Sequence, residues 1–393
     1  QPSNTEYASR ETLLTPNTII SGNFSSYLIK EFKGKGTYAR VARCTDLSTK
    51  EDVAVKMYRV GMSRAGRHEA YLLRKLPRHS HSKNIVKFIT SFHYQDHYCL
   101  VLEHLDRSLF DYIEEAQKLT HVGDIRYIAE QVLVALRELE RHGLIHADLK
   151  PDNVMLVNQQ LEPFRVKLID LGMTMTVRSL VPGVTIQASR YRAPEVFFGT
   201  KMNGAVDMWA LGCVLVYVYL GENLFPYRCE YQIMRVLTQM FGMPDLLQLN
   251  EGLFTQSFFT KQHGEYRLKT LEEYNATQPT KPCSSGLFRC FTCLEDMMEH
   301  RPAPQTDEEK QETRQFFYLL RQLFQVNPAK RINALELCAI HSLHIDTNTK
   351  YTSCTNVCVE DLHRPEEQYL LYSIINLFNH FGMVLKFFFL QRL

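Results

Sequence analysis

The clearest chemistry in this sequence lies in one short polar run, His146-Ala147-Asp148-Leu149-Lys150-Pro151-Asp152-Asn153. A carboxylate such as Asp148 can accept a proton. Lys150 can hold a phosphoryl oxygen, and the amide oxygen of Asn153 can ligate a hard cation. Pro151 restricts the backbone to a loop. A long stripe of helical period precedes the run, and an apolar strand, Val154-Met155-Leu156-Val157, follows it. Polar residues between two rigid elements suit a site presented on a loop. A purely structural loop would tolerate this composition, so the weight rests on all positions agreeing.

Other candidates gain meaning beside that run. Asp170-Leu171-Gly172 follows the strand Val166-Lys167-Leu168-Ile169. Alone, Asp-x-Gly is usually a turn; near Asn153, Asp170 is a carboxylate suited to Mg²⁺. Lys56 sits in the apolar strand Val53-Ala54-Val55-Lys56-Met57, where alternation could turn it to solvent. Glu69, however, lies on the apolar face of a helix expected over 64–76, with Leu72, Leu73 and Leu76. An inward carboxylate is costly unless paired, and Lys56 would pair with it. Gly34-Lys35-Gly36, between two strands, lets backbone amides approach phosphates. Strand–glycine–strand hairpins are common, so that feature is weak alone.

The elements that position these groups change character along the chain. Residues 1–26 are polar and turn-rich and read as a mobile leader. Strands are expected from Tyr27, at 39–44, 53–57, 85–89 and 98–103. The period then becomes helical, with a stripe of Ile125, Ile128, Ala129, Val132, Leu133, Leu136 and Leu139, closed by Gly143. A helix over 206–220 is apolar on nearly all sides and belongs at the centre of a second lobe. Residues 244–304 read as loop-rich, and helices resume at 311–324 and 334–340. No internal repeat is visible.

Bulk properties agree with a large globular chain. It has 393 residues, 45% hydrophobic and 22% charged, with formal net charge +2. Nothing in that charge marks a nucleic-acid binder. The ten cysteines are scattered, several within apolar stretches, and read as free thiols in a reducing compartment, cytosol or nucleus. The N-terminal residues show no secretory pattern. Cys283, Cys290, Cys293 and His300 match no standard zinc spacing.

Together the motifs resemble the protein-kinase signature set, completed by Ala193-Pro194-Glu195, over residues 27–345. Within kinases the chain most resembles the homeodomain-interacting protein kinases, in the dual-specificity tyrosine-regulated kinase group. Three passages carry this: Leu144-Ile145-His146-Ala147-Asp148-Leu149-Lys150-Pro151, with Ala where most kinases have Arg; Cys99-Leu100-Val101-Leu102-Glu103; and the pair Arg165-Val166-Lys167-Leu168-Ile169-Asp170 and Asp207-Met208-Trp209-Ala210-Leu211-Gly212-Cys213. The resemblance implies an α+β, two-lobed protein-kinase fold. Its β-rich N-lobe would span 27–104 and its helical C-lobe 105–345, with a tail over 346–393.

The same resemblance implies roles. Asp148 would deprotonate a substrate hydroxyl, Lys150 would steady the γ-phosphate of ATP, and Asn153 with Asp170 would hold Mg²⁺. Lys56, fixed by Glu69, would bind the α- and β-phosphates beneath Gly34, Lys35, Gly36 and Ala39. Val41, Ala54 and Leu156 would sandwich adenine. Leu102 would be the gatekeeper, and Glu103 and Leu105 would offer hinge backbone bonds. Glu195 would pair with Arg331. The implied activity is serine/threonine phosphorylation of proteins, transcription regulators among them by family analogy, with dual specificity left open. The implied location is nucleus or cytoplasm, with no direct nucleic-acid binding. The alternative is a pseudokinase scaffold or binding module.

Four departures bear on that expectation. Ala39 stands where a third glycine is usual, and Lys33 precedes Gly34. Leu171 replaces Phe in the magnesium segment. A gapless count puts Thr185 where the resembled family carries its activating tyrosine. The stretch from Tyr369 to Leu390 is largely apolar, but Asn376, Asn379, His380 and Lys386 interrupt it. A docked helix is favoured there over a membrane anchor.

Overall fold

The computed structural model describes residues 14–76, 83–117, 121–226, 229–277, 283 and 291–337. The apolar stretch from Tyr369 to Leu390 lies outside them.

The segment read as a leader contributes a strand. Strand β1 (Ile19–Ser21) pairs antiparallel with β2 (Ser26–Lys35). Leu14 and Ile20 are buried in the same cluster as Ile29, Val55 and Val101. A three-residue strand is too short to announce itself by alternation; burial of Ile20 on the sheet makes it one. The chain continues through β3 (Ala39–Asp46), β4 (Asp52–Tyr58), α1 (Ser63–Lys75), β5 (Phe88–Tyr94) and β6 (His97–Glu103). The sheet runs β1-β2-β3-β4-β6-β5, antiparallel throughout.

One expected strand boundary moves. The strand expected at 85–89 begins at Phe88; Ile85 makes a lone parallel bridge to Leu168 because Val86 N–H donates to Leu168 O. Pleat alternation sorts the residues of β4. Val53, Val55 and Met57 enter the core, so Ala54, Lys56 and Tyr58 face the other way.

The second lobe is helical. It opens with α2 (Leu109–Ala116), α3 (Val122–Arg141), β7 (Leu144–Ile145), β8 (Val154–Asn158), β9 (Glu162–Leu168) and β10 (Met175–Thr176). After α3, Gly143 adopts φ +65°, the left-handed conformation expected there. Then come α4 (Pro194–Phe198), α5 (Ala205–Leu220) and α6 (Glu230–Phe241). Helix α5 is buried along nearly its whole length, which is why its sequence shows no polar face. Trp209 on α5 stacks against Phe225 and meets Phe241 and Phe324 edge-on.

Residues 244–304 hold more structure than their sequence suggests. They contain α7 (Leu246–Glu251), α8 (Thr255–Phe258), β11 (Phe259–Gln262), β12 (Glu265–Leu268) and α9 (Leu271–Thr277), with a 3₁₀ turn at Glu295–His300. These pieces are too short for periodicity to register. The hairpin did leave a signal: His263-Gly264 both take positive φ, 52° and 90°, as a two-residue hairpin turn requires. Helix α10 (Asp307–Leu323) starts four residues before the expected position, fixed by a capping box between Thr306 and Glu309. Residues 334–337 are helical, and the rest of the helix expected over 334–340 lies outside the described residues.

One cysteine reading is overturned. Cys229 and Cys283 are joined by a disulfide, with Cα atoms 5.8 Å apart. Asn275 brackets Cys283, accepting from its N–H at 2.7 Å and donating to its O at 3.1 Å. Scattered spacing hid a pair that stands 54 positions apart in the sequence. Cys44, Cys99 and Cys213 remain buried free thiols, their titration pushed up by burial. Non-reducing peptide mapping should find Cys229 and Cys283 in one linked species that separates on reduction. Alkylation of both before reduction would contradict the pairing.

Candidate active site

Asp148 is held by its own loop. Its Oδ2 accepts from Lys150 Nζ at 2.8 Å and Asn153 Nδ2 at 3.1 Å, and Asn153 Nδ2 also donates to Asp148 O at 2.8 Å. The three residues quoted from the polar run therefore converge. Since its NH₂ faces Asp148, the Asn153 amide oxygen is turned elsewhere.

The loop is fastened from below. Ala147 adopts φ +63°, a left-handed conformation that costs a non-glycine residue about 1–2 kcal/mol. Asp207, in the first turn of α5, offsets that cost. Its carboxylate accepts from His146 N at 2.7 Å and Ala147 N at 3.0 Å. Burial pushes the Asp207 carboxyl up, and His146 with these two N–H bonds works against it. His146 is fully buried and its Nε2 lies 3.0 Å from Ile169 O, tying the loop to the residue before Asp170. Sequence reading quoted Asp207 without a role. A carboxylate in an otherwise apolar helix was the available signal.

A second cluster forms across the lobes. Lys56 Nζ donates to both oxygens of Glu69, at 3.1 and 2.9 Å, and to Asp170 Oδ1 at 2.7 Å. The solvent-facing reading of Lys56 is thereby set aside: it is buried and paired. Glu69, on α1, has no exposed surface; Leu171 N–H and Tyr58 OH also donate to it. Burial disfavours the Lys56 ammonium, but Glu69 and Asp170 overcome it and push its titration up. Burial likewise works to raise Asp170, yet the Lys56 ammonium and Gly172 N–H hold its carboxyl below the usual range. The Gly172 bond, 3.1 Å, goes to Oδ1, the same oxygen that meets Lys56. Leu171 is fully buried, filling an apolar slot as expected.

The remaining candidates surround these clusters. Ala54 pairs with Leu102, and Val41 with Lys56, in the sheet register. Leu156 N–H donates to Arg107 O, placing β8 beside the segment joining the lobes. Glu103 N–H is spent on Lys87 O at 3.0 Å, and its side chain binds Lys167. Leu105 N–H makes no hydrogen bond among the described residues, so it is an N–H that this segment can offer. Gly34 pairs with Val41, and Lys35 with Arg40, while Gly36 N–H closes the turn on Ala39 O at 2.9 Å. Thr185 is exposed.

The protein kinase domain model matches residues 27–342. The chain belongs to the protein kinase family. Its likeness to homeodomain-interacting protein kinases, read from three passages, holds across most of the chain. It is 34% identical to homeodomain-interacting protein kinase 1 of Mus musculus over 336 residues, 82% of this chain and 28% of the relative. It is 32% identical to homeodomain-interacting protein kinase 2 of Mesocricetus auratus over 360 residues, 87% of this chain and 31% of that relative. A serine/threonine-protein kinase of Schizosaccharomyces pombe is 31% identical over 320 residues, covering 78% and 59%. The chain thus spans under a third of the length of these two homeodomain-interacting relatives.

One buried pair underpins the kinase C-lobe. Arg331 donates to Glu195 at 2.8 and 2.9 Å and to Ala205 O at 2.8 Å, and neither side chain of the pair is exposed. The guanidinium also lies 5.1 Å from the Trp209 ring centroid. Glu195→Gln would leave a buried charge half-compensated. It should cost about 3–5 kcal/mol, read as a lower midpoint in urea with an unchanged slope. A loss under about 1 kcal/mol would show the pair acting like a surface bridge.

Proposed function

We propose that this chain is a protein serine/threonine kinase that moves the γ-phosphate of ATP to substrate hydroxyls. The observation that carries this is the convergence of Asp148, Lys150 and Asn153 on one loop with Lys56, Glu69 and Asp170 facing it. Phosphoryl transfer needs positioning and charge neutralisation more than covalent chemistry, and both clusters supply them.

The substrate hydroxyl gives its proton to Asp148. Lys150 and Asn153 occupy Oδ2, so the carboxylate is held rigidly while Oδ1 carries neither of those bonds. Lys56 is pre-charged and oriented by Glu69 for phosphate oxygens. Leu105 N–H and the flanking Val41, Ala54, Leu102 and Leu156 suit an adenine ring with a polar edge. Asp170 and Asn153 present carboxylate and amide oxygens of the kind Mg²⁺ prefers; the ion would neutralise phosphate charge there. Transcription regulators are the proposed substrate group, by likeness to relatives named for homeodomain interaction. A nuclear or cytoplasmic location is proposed with them, and the Cys229–Cys283 bond is the feature that runs against a reducing compartment.

The segment before Ala193 favours one substrate type. Gln187 N–H donates to Ala147 O at 3.1 Å, which lays residues 186–188 along the catalytic loop. A substrate with its hydroxyl on Asp148 rests its next residue there. Both carbonyls at that place already accept from Arg192: Ile186 O at 3.1 Å and Gln187 O at 3.2 Å. Gln187 sits at φ +63°, held by its side chain to Val206 O and Ala193 N. A substrate N–H arriving there must share its acceptor with the Arg192 guanidinium, and a poorly met donor costs up to about 1–3 kcal/mol. Proline has no N–H to satisfy.

Two outcomes are expected. Asp148→Asn should lower kcat by about 10²–10⁴-fold with thermal unfolding unchanged, measured with labelled ATP and Mg²⁺; equal turnover by both proteins would sink the assignment. A Ser-Pro peptide should exceed its Ser-Ala counterpart in kcat/KM by about fivefold or more, and Arg192→Ala should narrow the ratio. Equal kcat/KM values for the two peptides would refute the preference.

A further inference from the structure

Glu69 has a partner that sequence reading did not assign. Tyr58 stands two residues after Lys56 on β4, so the pleat sends both side chains to the same face. Its hydroxyl donates to Glu69 Oε2, the oxygen that also meets Lys56 Nζ at 2.9 Å. The ring is almost wholly buried. The Lys56 ammonium lies 5.4 Å from its centroid. The backbone is fastened as well, since Tyr58 O accepts from His97 Nδ1 at 2.8 Å.

Helix α1 is shaped to fit this ring. A methyl group on Gly66 would stand 2.7 Å from Tyr58 Cδ2 and 2.6 Å from Tyr98 Cδ1. Glycine in mid-helix costs about 1 kcal/mol relative to alanine, and here it lets the helix settle onto the two rings. One turn on, Glu69 reaches the Tyr58 hydroxyl. The same hydroxyl lies 3.6 Å from the position a Gly172 methyl would take, so it also borders the Asp170 segment.

We propose that Tyr58 is a positioning residue for phosphoryl transfer: its hydroxyl latches Glu69, and with it α1, in the place that orients Lys56. The proposal rests on the kinase reading above for its catalytic consequence. Its structural part, a latch on α1, stands independently. Among the described residues, Lys56 alone bridges Glu69 and Asp170, and without Tyr58 the carboxylate keeps only Lys56 and Leu171 N–H there. Competition for that ammonium by phosphate oxygens would then loosen α1. The Tyr58 bond persists when Lys56 turns to phosphate.

The test is Tyr58→Phe in the full chain, which keeps the ring and removes one oxygen. Hydrogen exchange in nucleotide-free protein should speed up about tenfold for amides of α1 while α3 and α5 stay unchanged. With ATP, Mg²⁺ and a peptide substrate, kcat/KM should fall about tenfold. In a Glu69→Gln background the same substitution should remove less than a further twofold, because Tyr58 acts through Glu69. Unchanged exchange in α1 overturns the latch. An equal tenfold loss in the Glu69→Gln background overturns action through Glu69. If the wild-type chain transfers no phosphate, the kinase reading fails, and the exchange measurement still decides the latch.

Discussion

Glu69 carries a carboxylate with no exposed surface, and the site depends on satisfying it. An isolated charge so placed would cost several kcal/mol. It is met by three donors from two parts of the chain: Lys56 and Tyr58 on β4, and Leu171 N–H beside Asp170. Helix α1, the small-lobe sheet and the Asp170 segment must therefore be assembled together. The charge acts less as a source of stability than as a constraint, because only one mutual arrangement leaves no group unpaired.

Asp207 plays the corresponding part in the large lobe. It accepts two consecutive backbone N–H groups and thereby holds Ala147 in a left-handed conformation. That turn in the backbone separates the buried ring of His146 from the carboxylate of Asp148 at the cleft. The adjoining segment is fixed by neutral bonds through Gln187 and by Arg192, and Gln187 ends on the Ala147 carbonyl. The Asp148 loop and the segment around Gln187 thus share one anchor. Ala147 itself brings no charge to this junction; its geometry is set by the Asp207 carboxylate, the Gln187 amide and the Arg192 guanidinium acting on backbone groups.

Local sequence made the chemistry legible. Asp148, Lys150 and Asn153 lie within one loop, and contiguous residues reveal themselves by spacing. The pairing of Lys56 with Glu69 could be inferred because a carboxylate on an apolar helix face demands a cation. The long helices were readable too, since α3 and α5 are long enough for their burial patterns to dominate composition. Strand β1, the short elements of 244–304 and the start of α10 were missed. In these, capping, turn geometry or contact with a neighbouring element decides the structure over three to seven residues.

By itself, then, the sequence determined which groups could accept a proton, hold phosphate oxygens and ligate a cation, and which kinase branch they resemble. Only the tertiary structure decided how those groups are braced. Tyr58 reaches Glu69 across 11 residues, Asp207 reaches His146 across 61, Cys229 bonds Cys283 across 54, and Arg331 reaches Glu195 across 136. The physical reason is one of range. The candidate site groups gather within one short loop, but their supports come from whichever buried surface the fold brings alongside, and hydrophobic packing of distant elements sets that surface.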